Sequence, residues 1–418
     1  MPLDRFHIIK QAGRLVILPS FFCFLSLFSL HGQERDTLSR LYWRDMVHGF
    51  ALDFRPAGIL PTSPFLRGDN PKETPVCRAF SGHAKYAFRY RNGSFLDRLY
   101  GGVYQGVGIG LYTFGETEWL GNPVTFYLFQ GARIASIGRQ ISFNYEWNFG
   151  LSAGWHPYHP DKNPANKIMG SKLNAYLNTN FYFRWAATQR LALHAGVTFV
   201  HFSNGNTLIP NAGLNALGGK IGLDYYFLRQ DRPSERDAEP VLLPPFRPYV
   251  SWDVLFFGSW KRRGFEANEG QVLSPEAYPV FGFQVSPMYN LGYKLRLGIA
   301  LDGVYDGGAN VRVDKENIRH DGTFQRSDII RPELYEQLAL GVSGRVEYVM
   351  PFFTVGIGMG INVLGKQEFK AFYQTMALKV DVAQNVFLHI GYNLQKFRTP
   401  NHLMLGVGFR FSGRGYRI

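Results

Sequence analysis

Along most of the chain the hydrophobic period is two. Leu173, Ala175, Leu177, Thr179, Phe181, Phe183 and Trp185 alternate with Lys172, Asn174, Tyr176, Asn178, Asn180, Tyr182 and Arg184. Ile141, Phe143, Tyr145, Trp147, Phe149 and Leu151 alternate in the same way with Gln140, Ser142, Asn144, Glu146, Asn148 and Gly150. Successive side chains of a strand point to opposite faces, so each segment has one apolar and one polar wall. About sixteen such segments occur, near 44–55, 82–92, 99–113, 122–136, 139–153, 171–186, 189–203, 215–228, 247–260, 277–288, 293–305, 335–349, 352–363, 368–381, 385–396 and 402–412. Many run to about a dozen residues, twice the usual strand length in soluble sheets.

Two uncharged stretches, Leu99 to Gly115 and Val349 to Gly365, could pass for membrane helices, but glycine itself alternates in them. Gly106, Gly108 and Gly110 interleave with Val107, Ile109 and Leu111, and Gly356, Gly358 and Gly360 with Ile357, Met359 and Ile361. Each glycine would weaken a helix by about 1 kcal/mol against alanine, whereas in a strand they merely make one face small. Long alternating strands predict an all-β, transmembrane outer-membrane antiparallel barrel of roughly 12 to 16 strands. Closure satisfies every backbone group, which a bilayer requires. The connections agree: 93–98, 137–138, 187–188, 289–292, 350–351 and 382–384 are short, and 56–81, 154–170, 261–276 and 306–334 are long, as periplasmic turns and outer loops should be. One connection breaks the rule. Segment 229–246 is long, charged and proline-rich where a turn is due, and it divides the strands into halves of about eight, so two tandem eight-stranded barrels are the alternative.

Composition adds an address. Arg5, Lys10 and Arg14 precede an apolar run from Leu15 to Leu30, with Gly32 beyond it, which reads as a signal peptide over residues 1–33 ahead of a barrel region 34–418. Only 18% of the 418 residues are charged, 16% are aromatic, and there are 46 glycines and two cysteines. Removal of the leader takes Cys23 with it and leaves Cys77, so no internal disulfide is expected. The formal charge of +13 comes with no nucleic-acid motif, and no nucleic-acid partner is expected.

One short run carries chemistry. On the strand ending at residue 203, His201 and Ser203 share a face with Leu193, Ala195, Val197 and Phe199, while His194, Gly196 and Thr198 face the other way. The pair therefore projects from the lipid-side wall, an unusual place for polar groups. A serine hydroxyl becomes a competent nucleophile when a base removes its proton, and histidine is the usual base near neutral pH. Spacing i, i+2 on one strand face brings the two within contact range. The same pair could instead simply end a strand in the headgroup layer.

The run His201-Phe202-Ser203-Asn204-Gly205-Asn206, continued by Pro210-Asn211-Ala212-Gly213 and the strand from Gly219 to Phe227, resembles the PagL family of lipid A 3-O-deacylases, or acyloxyacyl hydrolase-like proteins. The likeness is specific over 197–227 and diffuse over 44–228. It implies an outer-membrane barrel with the His-x-Ser-Asn motif on the outer wall near the outer rim, Ser203 as nucleophile and His201 as general base. Asn204, Asn211 and the Gly205 turn match polar positions around the family site, where developing negative charge needs donors. Asn215 stands where the family has its acidic member. An amide can orient an imidazole but cannot stabilise imidazolium by charge. Glu146 and Asp224 fall on the lumen-side parity and are poor substitutes.

The expected function is therefore serine-dependent hydrolysis of an acyl ester of lipid A, or of another membrane lipid, by a membrane-embedded enzyme using no metal or organic cofactor. The alternative is a non-catalytic pore or transport barrel with a vestigial site. Two further candidates are weak. His156, His159 and Asp161 lie in a proline-rich loop that lacks a third histidine, and Lys261-Arg262-Arg263 could meet lipid A phosphates or be a solvated loop.

Overall fold

The alternation becomes sixteen long strands in the computed structural model, which describes residues 46–205, 207–208, 210–228, 245–267, 270–314, 324–397 and 399–412. The expected leader over 1–33 lies outside the described residues. The strands β1 (Met46–Ile59), β2 (Arg78–Tyr90), β3 (Tyr104–Thr113), β4 (Gly121–Ile137), β5 (Ile141–Trp155), β6 (Leu173–Trp185), β7 (Leu191–Ser203) and β8 (Leu214–Tyr226) close into one barrel. β1 meets β8 antiparallel, with Leu52 opposite Leu223 and Phe54 opposite Ile221. A second barrel closes from β9 (Tyr249–Lys261), β12 (Tyr278–Asn290), β13 (Leu295–Asp306), β16 (Leu338–Met350), β17 (Phe353–Leu364), β18 (Tyr373–Ala383), β19 (Val386–Gln395) and β20 (Thr399–Ser412), β9 pairing with β20. Two small ribbons, β10 (Gly264–Ala267) with β11 (Gly270–Leu273) and β14 (Arg312–Val313) with β15 (Ile329–Ile330), rise from its long connections.

The two-barrel alternative is thus the form adopted, in place of a single ring of 12 to 16 strands. Segment 229–246 joins the two, though its residues 229–244 lie outside the described ones. Eight strands make the barrel whose interior side chains just fill it, and both lumens are filled with paired charge. In the first, Arg55 bonds Asp53 at 2.6 Å, and Lys85 and Lys220 reach Glu146 at 3.0 and 3.3 Å. In the second, Arg296 pairs with Asp253 and with Glu347 at 2.8 Å each, and Lys379 bridges the same two carboxylates at 2.8 and 2.5 Å. The outward walls are apolar and open: Leu111 is 62% exposed, Phe126 58%, Phe256 59% and Ile299 61%. Apolar surface this continuous is stable only against an apolar solvent or partner.

Two local expectations are corrected. Leu99 to Gly102 is not the start of a strand but the end of a short helix and its cap: Phe95–Tyr100 is helical, the Ser94 hydroxyl accepting the Asp97 N–H at 3.3 Å, and Gly101 ends it at φ 72°. Apolar residues at 96, 99 and 100 satisfy a helix as well as a strand, and the serine cap decides. Lys172, read as lumen-facing, stands exposed just before β6. The glycine stretch behaves as the pattern required. Gly108 and Gly110 face inward where the Tyr127 and His83 side chains leave no room for a Cβ, and Val107, Ile109 and Leu111 face out.

Candidate active site

Strand β7 ends at the motif, and the residue between the two polar groups fixes their direction. Phe202 is fully buried, packed edge-on to Tyr112 and Trp155 with ring centroids 5.1 and 5.0 Å away. With Phe202 held inward by that aromatic core, the alternation of the strand turns His201 and Ser203 outward. Register does the rest. His201 lies opposite Asn215 on β8 and opposite Leu177 on β6, and Ser203 opposite Ala175.

The three polar groups form a chain. The Ser203 hydroxyl lies 2.9 Å from His201 Nε2, and His201 Nδ1 lies 2.7 Å from Asn215 Oδ1. With the Asn215 oxygen accepting, the Nδ1 proton is fixed there and Nε2 presents a lone pair to the serine O–H, which is the tautomer a general base needs. Both ring nitrogens are occupied, and among the described residues no carboxylate hydrogen-bonds this imidazole. Glu146 and Asp224 are turned inward as their parity required: Glu146 is bound by Lys85 and Lys220, and Asp224 by Arg184 at 3.0 Å and His194 at 3.4 Å.

The turn after β7 has its own logic. Asn204, of opposite parity to Ser203, points inward and is 5% exposed; its Nδ2 donates to the Leu208 carbonyl at 2.8 Å, and its backbone N–H donates to Asn211 Oδ1 at 3.0 Å. Asn204 and Asn211 therefore shape the turn, and the Asn204 amide is turned away from the serine. Strand parity already carried that signal. The Gly205 N–H, at φ 63°, donates no hydrogen bond among the described residues and lies two residues past the serine. Gly213 backs the imidazole: at φ 72°, a Cβ added to it would stand 3.3 Å from His201 Cε1 and 3.1 Å from the Phe202 carbonyl oxygen. Left-handed backbone costs a non-glycine residue about 1–2 kcal/mol, and the relief available is to push the ring. Gly213→Ala is accordingly expected to lower the rate of ester hydrolysis about 10-fold or more and the melting temperature by several degrees, as steady-state kinetics and thermal unfolding would record.

The neighbouring loop braces this turn. The Gly213 N–H donates to the Ile168 carbonyl at 3.2 Å, and Asn166 organises Ile168 and Met169 by accepting both their N–H groups. His156 and His159 belong to that brace rather than to a ligand cluster. His156 Nδ1 bonds the Glu118 carbonyl at 2.8 Å, and His159 Nδ1 accepts the N–H groups of Asp161 and Lys162. No group of three metal-ligating side chains occurs among the described residues. In the second barrel, Lys261 pairs with Asp306 at 2.5 Å and Arg263 with Glu368, so two of the three basic residues there are committed within the protein. Burial works against the Glu368 carboxylate, yet the Arg263 hydrogen bond and charge hold its pKa below the ordinary carboxylate range.

Comparison with known proteins assigns both barrels. Residues 85–224 match the family model described as lipid A 3-O-deacylase (PagL), and residues 250–413 match the acyloxyacyl hydrolase C-terminal domain. No curated protein matches the chain in sequence. Among solved structures, CdiB from Acinetobacter baumannii aligns at 8% identity and TM-score 0.17, covering 87% of this chain; the chain spans 60% of its length. The COG4313 outer membrane channel from Pseudomonas putida F1 aligns at 10% identity and TM-score 0.18, with 88% of this chain and 95% of that one covered. Omp33 of A. baumannii aligns at 8% identity and TM-score 0.16, with 88% and 98% covered.

Proposed function

The chain belongs to the PagL family of lipid A 3-O-deacylases, and from that premise we propose that it is an outer-membrane hydrolase that removes an acyl chain from lipid A through Ser203. The observation that carries the reading is the chain from the Ser203 hydroxyl through His201 to Asn215, at 2.9 and 2.7 Å, on an outward wall. Around it Phe199 and Leu217 are 40% and 53% exposed, a surface suited to hydrocarbon. A substrate that is itself a membrane lipid reaches such a site laterally.

As Ser203 Oγ attacks the ester carbonyl carbon, its proton passes to His201 Nε2. The carbonyl oxygen becomes an oxyanion toward which the Gly205 N–H is the available donor. Collapse expels the sugar hydroxyl, which takes the proton back from Nε2 and leaves the acyl group on Ser203. Water then attacks the acyl-serine, giving its proton to Nε2, and Ser203 leaves with that proton. The sum is ester plus water to carboxylic acid plus alcohol. Asn215 touches no reacting atom and is a positioning residue. The paired charges that fill both lumens argue against a conducting pore, which would need open water along the axis.

Mass spectrometry of lipid A from cells making the wild-type chain or Ser203→Ala tests this. The wild type is expected to yield lipid A lighter by one acyl chain and the variant to leave it intact. Identical spectra, with both proteins folded in the outer membrane, would overturn the proposal.

A further inference from the structure

The second barrel touches the first at two separated places. At the end away from the catalytic turn, the Phe88 and Phe352 rings lie 6.0 Å apart, Trp147 meets Phe353 edge-on at 5.2 Å, and Tyr145 Oη is 3.9 Å from Met350 Sδ. At the catalytic end, the Tyr392 hydroxyl on β19 donates to the Gly205 carbonyl at 3.3 Å. There the Leu403 side chain on β20 lies within 3.2–3.3 Å of where a Gly205 Cβ would be. The first contact set engages β2 through Phe88, β4 through Leu128 and β5 through Trp147 and Phe149; the second engages the turn after β7, and β6 runs between β5 and that turn.

The outward residues of β6 are left open between those contacts, Leu177 at 40% and Phe181 at 44% exposed. On the facing barrel Met376, paired across β18–β19 with Tyr392, is 58% exposed. Leu378 one step along is buried in the contact. Both walls are thus apolar, they meet at their two ends, and they stay unfilled between. Ser203 opens onto this strip through its cross-strand neighbour Ala175, and His201 through Leu177.

We infer that the seam between the barrels is the acyl-chain site: the hydrocarbon of the ester cleaved at Ser203 lies between β6 and the β18–β20 wall, so the second barrel sets chain-length preference. This rests on the hydrolase reading above. It also gives the second barrel a part in the reaction although it carries no serine motif of its own. The Tyr392–Gly205 contact would couple that wall to the turn holding the oxyanion donor. An apolar slot discriminates by the methylenes it buries, each worth several-fold in binding.

The test uses the full chain in detergent with p-nitrophenyl esters of eight- and fourteen-carbon acids. Thr179→Trp on β6 and Met376→Trp on β18 fill the slot from its two walls, away from the Gly205 turn, so a folding defect in one leaves the other readable. Each is expected to lower kcat/KM for the fourteen-carbon ester about 10-fold relative to the eight-carbon ester, whose turnover stays near wild type. If the ratio stays unchanged in both, or both esters fall together, the seam is not the acyl site while the hydrolase reading stands. If the wild type cleaves neither ester nor lipid A, the hydrolase reading itself fails and the seam proposal with it.

Discussion

Asn215→Asp is expected to raise kcat by about two to four orders of magnitude while leaving KM within a few-fold. The substitution is isosteric, so the 2.7 Å approach to His201 Nδ1 is kept. What changes is the chemistry of the partner. An amide has a donor and an acceptor end, and only one of its two orientations holds the imidazole with its lone pair toward Ser203. A carboxylate accepts only, so it enforces that tautomer, and its charge stabilises the imidazolium formed as Ser203 attacks. In serine proteases the reverse change costs about 10⁴ in kcat, which sets the upper end of the gain. Asn215 touches no substrate, so the effect belongs in kcat; a purely structural role would instead move the melting temperature, or kcat and KM together. Asn215→Glu is expected to gain less, because the longer side chain must fold back to reach the same nitrogen. If Asn215→Asp leaves kcat where it was, Asn215 is not the third member of this chain of hydrogen bonds.

Much of this was legible in the sequence because a strand has only two faces. The period-two pattern alone assigns His201 and Ser203 outward and Glu146 and Asp224 inward, and the register of β7 on β8 brings Asn215 to His201. The motif makes Asn204 a candidate oxyanion donor, although parity carried one residue past Ser203 turns it inside, where its amide holds Leu208. Partnership between distant strands is another matter. Alternation says which wall a residue lines but not which strand closes the ring, and the pairings of β1 with β8 and of β9 with β20 span the length of each barrel. The one local hint was segment 229–246, too long and too charged for a turn. The helix at Phe95–Tyr100 was missed because six residues are too few for a period to assert itself. The seam could not be read at all: Tyr392, Leu403 and Met376 look like any lipid-facing residues until a second closed barrel is set beside the catalytic turn.

The second large effect concerns the serine and histidine together. Ser203→Ala and His201→Ala are each expected to lower kcat about 10²-fold, and the double variant no further than either alone. Both numbers follow from how a triad divides its work. In subtilisin, loss of the serine or the histidine costs about 2 × 10⁶ and loss of the aspartate alone about 3 × 10⁴, so a chain that lacks the carboxylate retains only about 10² above the residual catalysis for its serine to lose. Non-additivity follows because His201 has a task only when Ser203 has a proton to give, and the two sit 2.9 Å apart to exchange it. Introduced into Asn215→Asp, the same Ser203→Ala substitution should cost about 10⁴ or more, since the carboxylate's contribution is realised only through the serine. Steady-state kinetics of the wild type and these five variants on one ester give every term. Losses that multiply, or a Ser203→Ala penalty that is the same in both backgrounds, would mean that Ser203, His201 and residue 215 do not act as one unit.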